Sequence, residues 1–253
     1  MRVLTVYAHH NPRSFCHAIL ERFSAGLAEG GHSHEVVDLH AIGWNPVLSE
    51  RDSADWVDDS VPDDVMQHMN IRGSVLGSAS NPVRRLLMKQ WMGDKSDREI
   101  LRAIHAEGPP RDVAIQQEKV AAADALAFIA PIYFVGFPAI LKGWVERVFS
   151  LGFAFGLNPE GWRGDIRGRI PLLRHQKALL MSTTIFDEAS YKDELAPALK
   201  VLLDDYAFRF PGIQHVEHEY FYAVNGADDA ARRGYLDRAF ALGRDFANGL
   251  PAR

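Results

Sequence analysis

Three short stretches of the 253-residue chain concentrate side chains able to do chemistry. In HHNPRSF (9–15), His9 can donate through a ring nitrogen, Arg13 can supply positive charge and Ser14 a hydroxyl hydrogen. These groups suit an anion such as phosphate, provided that a helix begins near Phe15 and directs its unpaired amides at it. A helix cap at Asn11 or Ser14 accounts for the same residues equally well. In PIYFVGFP (131–138), Tyr133 and Phe134 stand among Pro131, Ile132 and Gly136. Aromatic side chains on a turn can enclose a flat heterocycle while backbone N–H groups bond its polar edge, although a hydrophobic plug or a subunit contact would use the same residues. In TTIFDEASY (183–191), Thr183 and Thr184 offer hydroxyls and Tyr191 a phenol, beside two acids.

Those stretches follow runs that read as buried strands. VLTVYA (3–8) is short, apolar and rich in β-branched residues, which suits the centre of a parallel sheet. After it, Phe15, Ile19, Phe23 and Leu27 recur four apart, the stripe of an amphipathic helix ending at Gly30-Gly31, and HEVVDL (34–39) is the next strand. A β-α-β opening implies a right-handed crossover. Further strands are expected at 125–130, 178–183 and 214–222, and helices at 112–123, from Pro138 to Phe149, at 195–206 and at 228–248. In the helix from Pro138, Ile140, Trp144 and Val148 form one row and Leu141, Val145 and Phe149 the next, with Lys142, Glu146 and Arg147 on the polar side. Five strands interleaved with five helices indicate a single α/β domain with a doubly wound parallel sheet and helices on both faces. From about 41 to 110 the pattern lapses into an insertion of loops and short helices, whose acids between Asp52 and Asp64 read as a solvated face. In such sheets ligands bind beyond the carboxyl ends of the strands, where the strand order reverses, and the three stretches above lie there.

Composition narrows the choice. A net charge of −5 and no run of five basic residues argue against nucleic acid. Cys16 is the only cysteine, and no apolar run reaches the length of a membrane span or a secretory signal, so a soluble cytoplasmic protein with no membrane insertion is expected. The histidine pairs do not match metal-site spacings; His215 and His218, on a strand, point to opposite faces, so no metal is expected.

GFPAILKGWVERVF (136–149) resembles the G-x-P-A-I-L-K-G-W-x-E-R-V-F segment of the flavodoxin-like NAD(P)H:quinone oxidoreductases, the family of DT-diaphorase. AHHNPRSF (8–15) is similar to that family's A-H-x-x-x-x-S-F, and DLHAIGWNPVLS (38–49) to its D-L-Y-x-x-x-F-N-P-x-x-S; residues from about 50 to 108 match least. The resemblance implies a flavodoxin-like sheet of strand order 2-1-3-4-5, a flavin, FAD with FMN as the alternative, and NAD(P)H as electron donor. It places His9, Ser14 and Phe15 at the flavin phosphates, with Arg13 close by, and sets Cys16 where the family often has asparagine. It puts Pro131, Ile132, Tyr133, Phe134 and Gly136 along the isoalloxazine ring, and Thr183-Thr184 at a Thr-Thr pair whose usual Gly-Gly is here Ile185-Phe186. Glycine alone reaches some backbone angles without strain, so that exchange predicts a different loop conformation. Tyr191 matches a catalytic tyrosine beside the flavin, but the histidine expected six residues later is Pro197.

The activity implied is ping-pong transfer of a hydride from NAD(P)H, through flavin, to a quinone or similar aromatic acceptor, in a homodimer with the site at the subunit interface. The dimer would cover part of the apolar side of residues 138 to 149. A regulatory or accessory flavoprotein with secondary reductase activity, an azo- or nitro-compound reductase, and an electron carrier of the flavodoxin type are the other readings; the chain is long and only mildly acidic for a carrier.

Overall fold

The structure is a computed structural model that describes residues 1–49, 52, 57, 58 and 60–250. Two compact units emerge, one of Met1–Pro46, Glu118–Val145 and Leu173–Arg253, the other of Val47–Gln117 and Glu146–Leu172.

The first unit holds a five-stranded sheet. Its strands are β1 (Arg2–Tyr7), β2 (Ser33–Asp38), β3 (Ala125–Pro131), β6 (Lys177–Thr183) and β7 (His215–Phe221), paired in the order β2-β1-β3-β6-β7. Every pairing is parallel, with Val3 opposite His34 and Ala125, Leu126 opposite Ala178, and Ala178 opposite Val216. The expected order is therefore found; β4 (Phe155–Leu157) and β5 (Arg169–Pro171) form a separate antiparallel pair in the second unit. All residues of β3 and β6 are buried, as strands covered on both faces must be.

Helix α1 (Phe15–Glu29) buries Ile19, Phe23 and Leu27 against the sheet's core cluster. Each such side chain contributes about 1.5–3 kcal/mol on burial. The closing helix, Asp229–Arg244, crosses α1 so closely that a Cβ on Gly26 would stand 2.1 Å from the Phe240 carbonyl oxygen, and one on Gly243 2.3 Å from that of Phe23. Glycine at both positions lets the two backbones touch.

In the second unit lie α2 (Asp63–Met66), α3 (Ile71–Gly77), α4 (Pro82–Met92) and α5 (Asp97–Glu107), with a core of Val61, Met66, Ile71, Met92, Ile100 and Leu101. Helices α6 (Arg111–Ala122) and α7 (Ala139–Val148) each run from one unit into the other. The solvated-face reading of the acids here fails for Asp52. It is buried, and its Oδ1 accepts a 2.8 Å hydrogen bond from Arg147 Nε, while Arg147 Nη1 reaches Asp112 at 2.7 Å. Asp55 and Asp59 lie outside the described residues. Arg147 thus leaves the polar side assigned to it, because two carboxylates compensate its burial. Leu141, Trp144 and Val148 of α7 are wholly buried within the chain, while Ile140 and Val145 keep part of their surface.

Candidate functional site

Strand β1 ends at Tyr7, and Ala8 still bonds β3 through its N–H to the Ile129 carbonyl (3.0 Å). The next residues are fixed locally. Asn11 Oδ1 accepts the Arg13 N–H at 2.9 Å, and the Asn11 carbonyl accepts the Ser14 N–H at 3.1 Å, a turn that presents the start of α1. His9 Nδ1 accepts the Asn11 N–H at 3.0 Å, and burial, then the neighbouring His10 ring, push its pKa below the usual histidine value. The neutral imidazole with Nδ1 accepting carries its hydrogen on Nε2, which is then a donor. Arg13 is exposed.

Ser14 is the N-cap of α1: its Oγ accepts the His17 N–H at 3.1 Å and stands 3.5 Å from the Tyr7 hydroxyl. An accepting hydroxyl keeps its own hydrogen to donate, so cap and anion donor are compatible at Ser14. The first amides of α1, at Phe15 and Cys16, have no carbonyl within the helix to bond. The Phe15 ring is occupied, packed near Tyr235 (6.3 Å between centroids) and under the Arg232 guanidinium (5.5 Å). The Cys16 thiol is buried, pushed up to about 12 by that burial, and hydrogen-bonded to Thr183. Both residues therefore have only backbone N–H groups left to offer a ligand, and Cys16 ties the first stretch to the third.

The second stretch is a tight turn closed by two hydrogen bonds, Tyr133 N–H to the Gly136 carbonyl (2.9 Å) and Gly136 N–H back to the Tyr133 carbonyl (3.2 Å). Its two central residues have positive φ, 44° at Phe134 and 59° at Val135, as a type I′ turn requires. Neither is glycine, and a β-branched residue there is strained by about 1–3 kcal/mol. Phe134 is fully exposed, and Tyr133 and Val135 largely so. A Cβ built on Gly136 meets no atom within 4 Å, so the flank of this turn is open to the edge of a flat ring. Pro131 is buried at the end of β3, and the Ile132 N–H bonds the Thr183 carbonyl at 2.9 Å, joining the second stretch to the third.

Thr183 and Thr184 are buried. The Thr184 N–H bonds the Phe221 carbonyl (2.9 Å) and its hydroxyl donates to the Phe186 carbonyl (2.7 Å). Thr184 thus holds the loop rather than presenting its hydroxyl. Ile185 and Phe186 are exposed and are not among the residues with positive φ, so the loop takes a path that needs no glycine. Asp187 caps the short helix α8 (Glu188–Lys192) through the Ser190 N–H at 2.9 Å, and this helix carries Tyr191 inward. Tyr191 is buried, its pKa pushed up by that burial, with its ring 5.8 Å from Tyr220 and 5.6 Å from Tyr222.

Behind Tyr191 lies a buried network absent from the sequence reading. His218 Nδ1 stands 3.1 Å from Asp204 Oδ1 and 3.0 Å from the Tyr220 hydroxyl, and Nε2 stands 2.9 Å from Ser182 Oγ. The His218 and Tyr220 rings stack at 4.0 Å, and Tyr220 stacks on Tyr222 at 5.7 Å. Serine, histidine and aspartate are connected here as in a hydrolase triad. Ser182, however, is buried within β6, where no substrate carbonyl can approach, so the arrangement fastens β6 to β7. The signal in the sequence was the two-residue period of His218, Tyr220 and Tyr222, which puts them on one face of a strand. Among the described residues no group of three metal-ligating side chains converges.

The three stretches sit at the carboxyl ends of β1, β3 and β6, beside the β1–β3 switch point of the sheet, and are joined by direct hydrogen bonds. Their donors, the His9 imidazole, the α1 amides and the Ser14 hydroxyl beside an open-flanked aromatic turn, fit a phosphorylated flat heterocycle such as a flavin.

The chain is 25% identical over 241 residues to an uncharacterized NAD(P)H oxidoreductase of Haemophilus influenzae, a match covering 94% of this chain and 92% of that one. It is 28% identical to human ribosyldihydronicotinamide dehydrogenase [quinone], over 68% of this chain but only 61% of that protein. Among solved structures, an NAD(P)H:quinone oxidoreductase from Methanothermobacter marburgensis shares the fold, with a TM-score of 0.68, 24% identity and 98% of each chain covered. The family described by its flavodoxin-like fold matches residues 1–242, and the chain belongs to it.

Proposed function

We propose that the protein is a flavin-dependent NAD(P)H oxidoreductase that reduces a quinone or similar aromatic acceptor by a ping-pong mechanism. The observation that carries this reading is the convergence of the three stretches at the sheet's switch point, bound to one another through Ile132, Thr183 and Cys16. The names of the curated relatives point the same way. A bound flavin, FAD with FMN as the alternative, would supply the hydride chemistry between NAD(P)H and the acceptor.

The protein's own part is positioning and electrostatics. His9 Nε2–H, the Phe15 and Cys16 amides and the Ser14 hydroxyl hold the phosphates, with Arg13 adding charge from solvent. The backbone of Pro131, Ile132 and the Tyr133–Gly136 turn would hold the ring. Tyr191 is the catalytic residue, its phenol donating to charge that develops during hydride transfer. With Pro197 in place of the family's histidine, the His218–Asp204–Tyr220 network supports Tyr191 from behind through the tyrosine stack.

A homodimer goes with this reading. Ile185, Phe186, Val201, Leu202 and Tyr206 are exposed in the first unit and supply apolar surface for a second copy. Purified protein should be yellow, or become so on addition of flavin, and chromatography of the acid-released pigment distinguishes FAD from FMN. Protein that stays colourless with both rules the proposal out.

A further inference from the structure

Helix α4 (Pro82–Met92) is held to its unit by one edge. Met92 is buried and Met88 partly so, while the other residues of the helix are exposed. At 100° per residue, Val83, Leu86, Leu87 and Trp91 share one arc, opposite the two methionines. These apolar side chains face outward, Val83 at 68%, Leu86 at 67%, Leu87 at 59% and Trp91 at 36% exposure. Arg84 flanks the arc on one side, Arg85 and Lys89 on the other, and no acid occurs between 82 and 92. None of these three cations is ion-paired among the described residues. Lys95 adds a fourth, its Nζ 5.1 Å from the centroid of the Trp91 ring. In a chain of net charge −5 this is a local inversion of sign.

We infer that α4 is a docking surface for an anionic lipid bilayer, lying in the plane of the headgroups without spanning the membrane. An apolar stripe of leucines, valine and tryptophan, bordered by cations whose long stems reach the phosphates, is the chemistry of an interfacial helix. The helix is not a span: none among the described residues is long and apolar enough to cross a membrane. A second copy is the poorer occupant. A two-fold contact through this face would set Arg84, Arg85 and Lys89 against themselves, with no acid on the helix to answer them. The inference does not depend on the redox proposal, although a lipid-dissolved acceptor would be met at this surface.

The test is flotation of the full-length protein with vesicles of phosphatidylglycerol and phosphatidylcholine, against phosphatidylcholine alone. Binding to the anionic vesicles should exceed that to neutral ones by more than tenfold and weaken as salt rises to about 0.15 M. Reversing Arg85 and Lys89 to Glu should lower it by at least about fivefold for each cation lost. Leu86→Asp with Leu87→Asp should abolish it while circular dichroism and reductase activity with a water-soluble acceptor stay unchanged. Equal or no binding to the two vesicle types overturns the inference, as does binding indifferent to Leu86→Asp. A dimer that Leu86→Asp dissociates, in protein that does not float, would assign the face to a second copy.

Discussion

On the proposed reading the Ser14 hydroxyl serves two purposes. Its oxygen accepts the His17 N–H, and its hydrogen can go to the Tyr7 hydroxyl 3.5 Å away or to a bound phosphate, so Ser14→Ala would remove a helix cap and a phosphate donor together. The cap should cost about 1 kcal/mol of stability, read from the denaturant midpoint. Flavin retention should fall in addition, seen as pigment lost on gel filtration. Full retention with only the stability loss would confine Ser14 to capping. For Tyr191→Phe, anaerobic stopped-flow should show the reductive half-reaction slowed on the order of tenfold to a hundredfold with flavin affinity little changed. An unchanged rate removes Tyr191 from the catalytic list. Asp204→Ala leaves the His218 imidazole buried without its acceptor and should cost about 1–3 kcal/mol by urea titration. At this scale the sequence was legible where chemistry is local, as in HHNPRSF. It was silent on the His218–Asp204 contact, because a strand and a helix separated by a turn meet only after folding.

Among the elements, the strand order and the amphipathic stripes of α1 and α7 could be read directly, since burial on a two-sided sheet imposes both. The helix expected at 195–206 is less regular: α-helical turns over Leu195–Leu199 pass into a π-helix over Lys200–Arg209. Wider turns of this kind recur near functional sites, and here they bring Asp204 to His218. Hydrophobic spacing does not report that change, because both helix types keep Leu199, Leu203 and Phe208 buried. The Phe134-Val135 turn is the other departure, with positive φ at two residues that disfavour it. Val135→Gly should relieve that strain and raise the thermal midpoint of flavin-free protein by the equivalent of about 1 kcal/mol. A lower midpoint would show that the turn is unstrained.

For the whole molecule, pH enters through histidines kept neutral. Burial is the main cause that holds His9, His32 and His175 below the ordinary histidine value, and His175 donates its Nε2–H to the Val120 carbonyl at 2.8 Å. The unfolded chain takes up these protons below about pH 6.5, the folded chain only at lower pH. Their contribution to stability is therefore complete above that pH and lost as pH falls through the folded values. The urea midpoint should decline between about pH 7 and pH 5.5; a flat or rising midpoint contradicts this. The second unit was the least legible from sequence. Its acids read as solvated until Asp52 proved to be the buried partner of Arg147 across 95 residues of chain.

The central claim is that the three stretches form one flavin site serving NAD(P)H and an aromatic acceptor. Anaerobic titration of the yellow protein with NADPH or NADH, followed spectroscopically and then chased with a quinone, tests it most directly. Bleaching by one equivalent of nicotinamide per flavin is expected, with full return of colour on adding quinone without more donor. Protein that binds neither FAD nor FMN, or whose colour neither nicotinamide discharges, would contradict it.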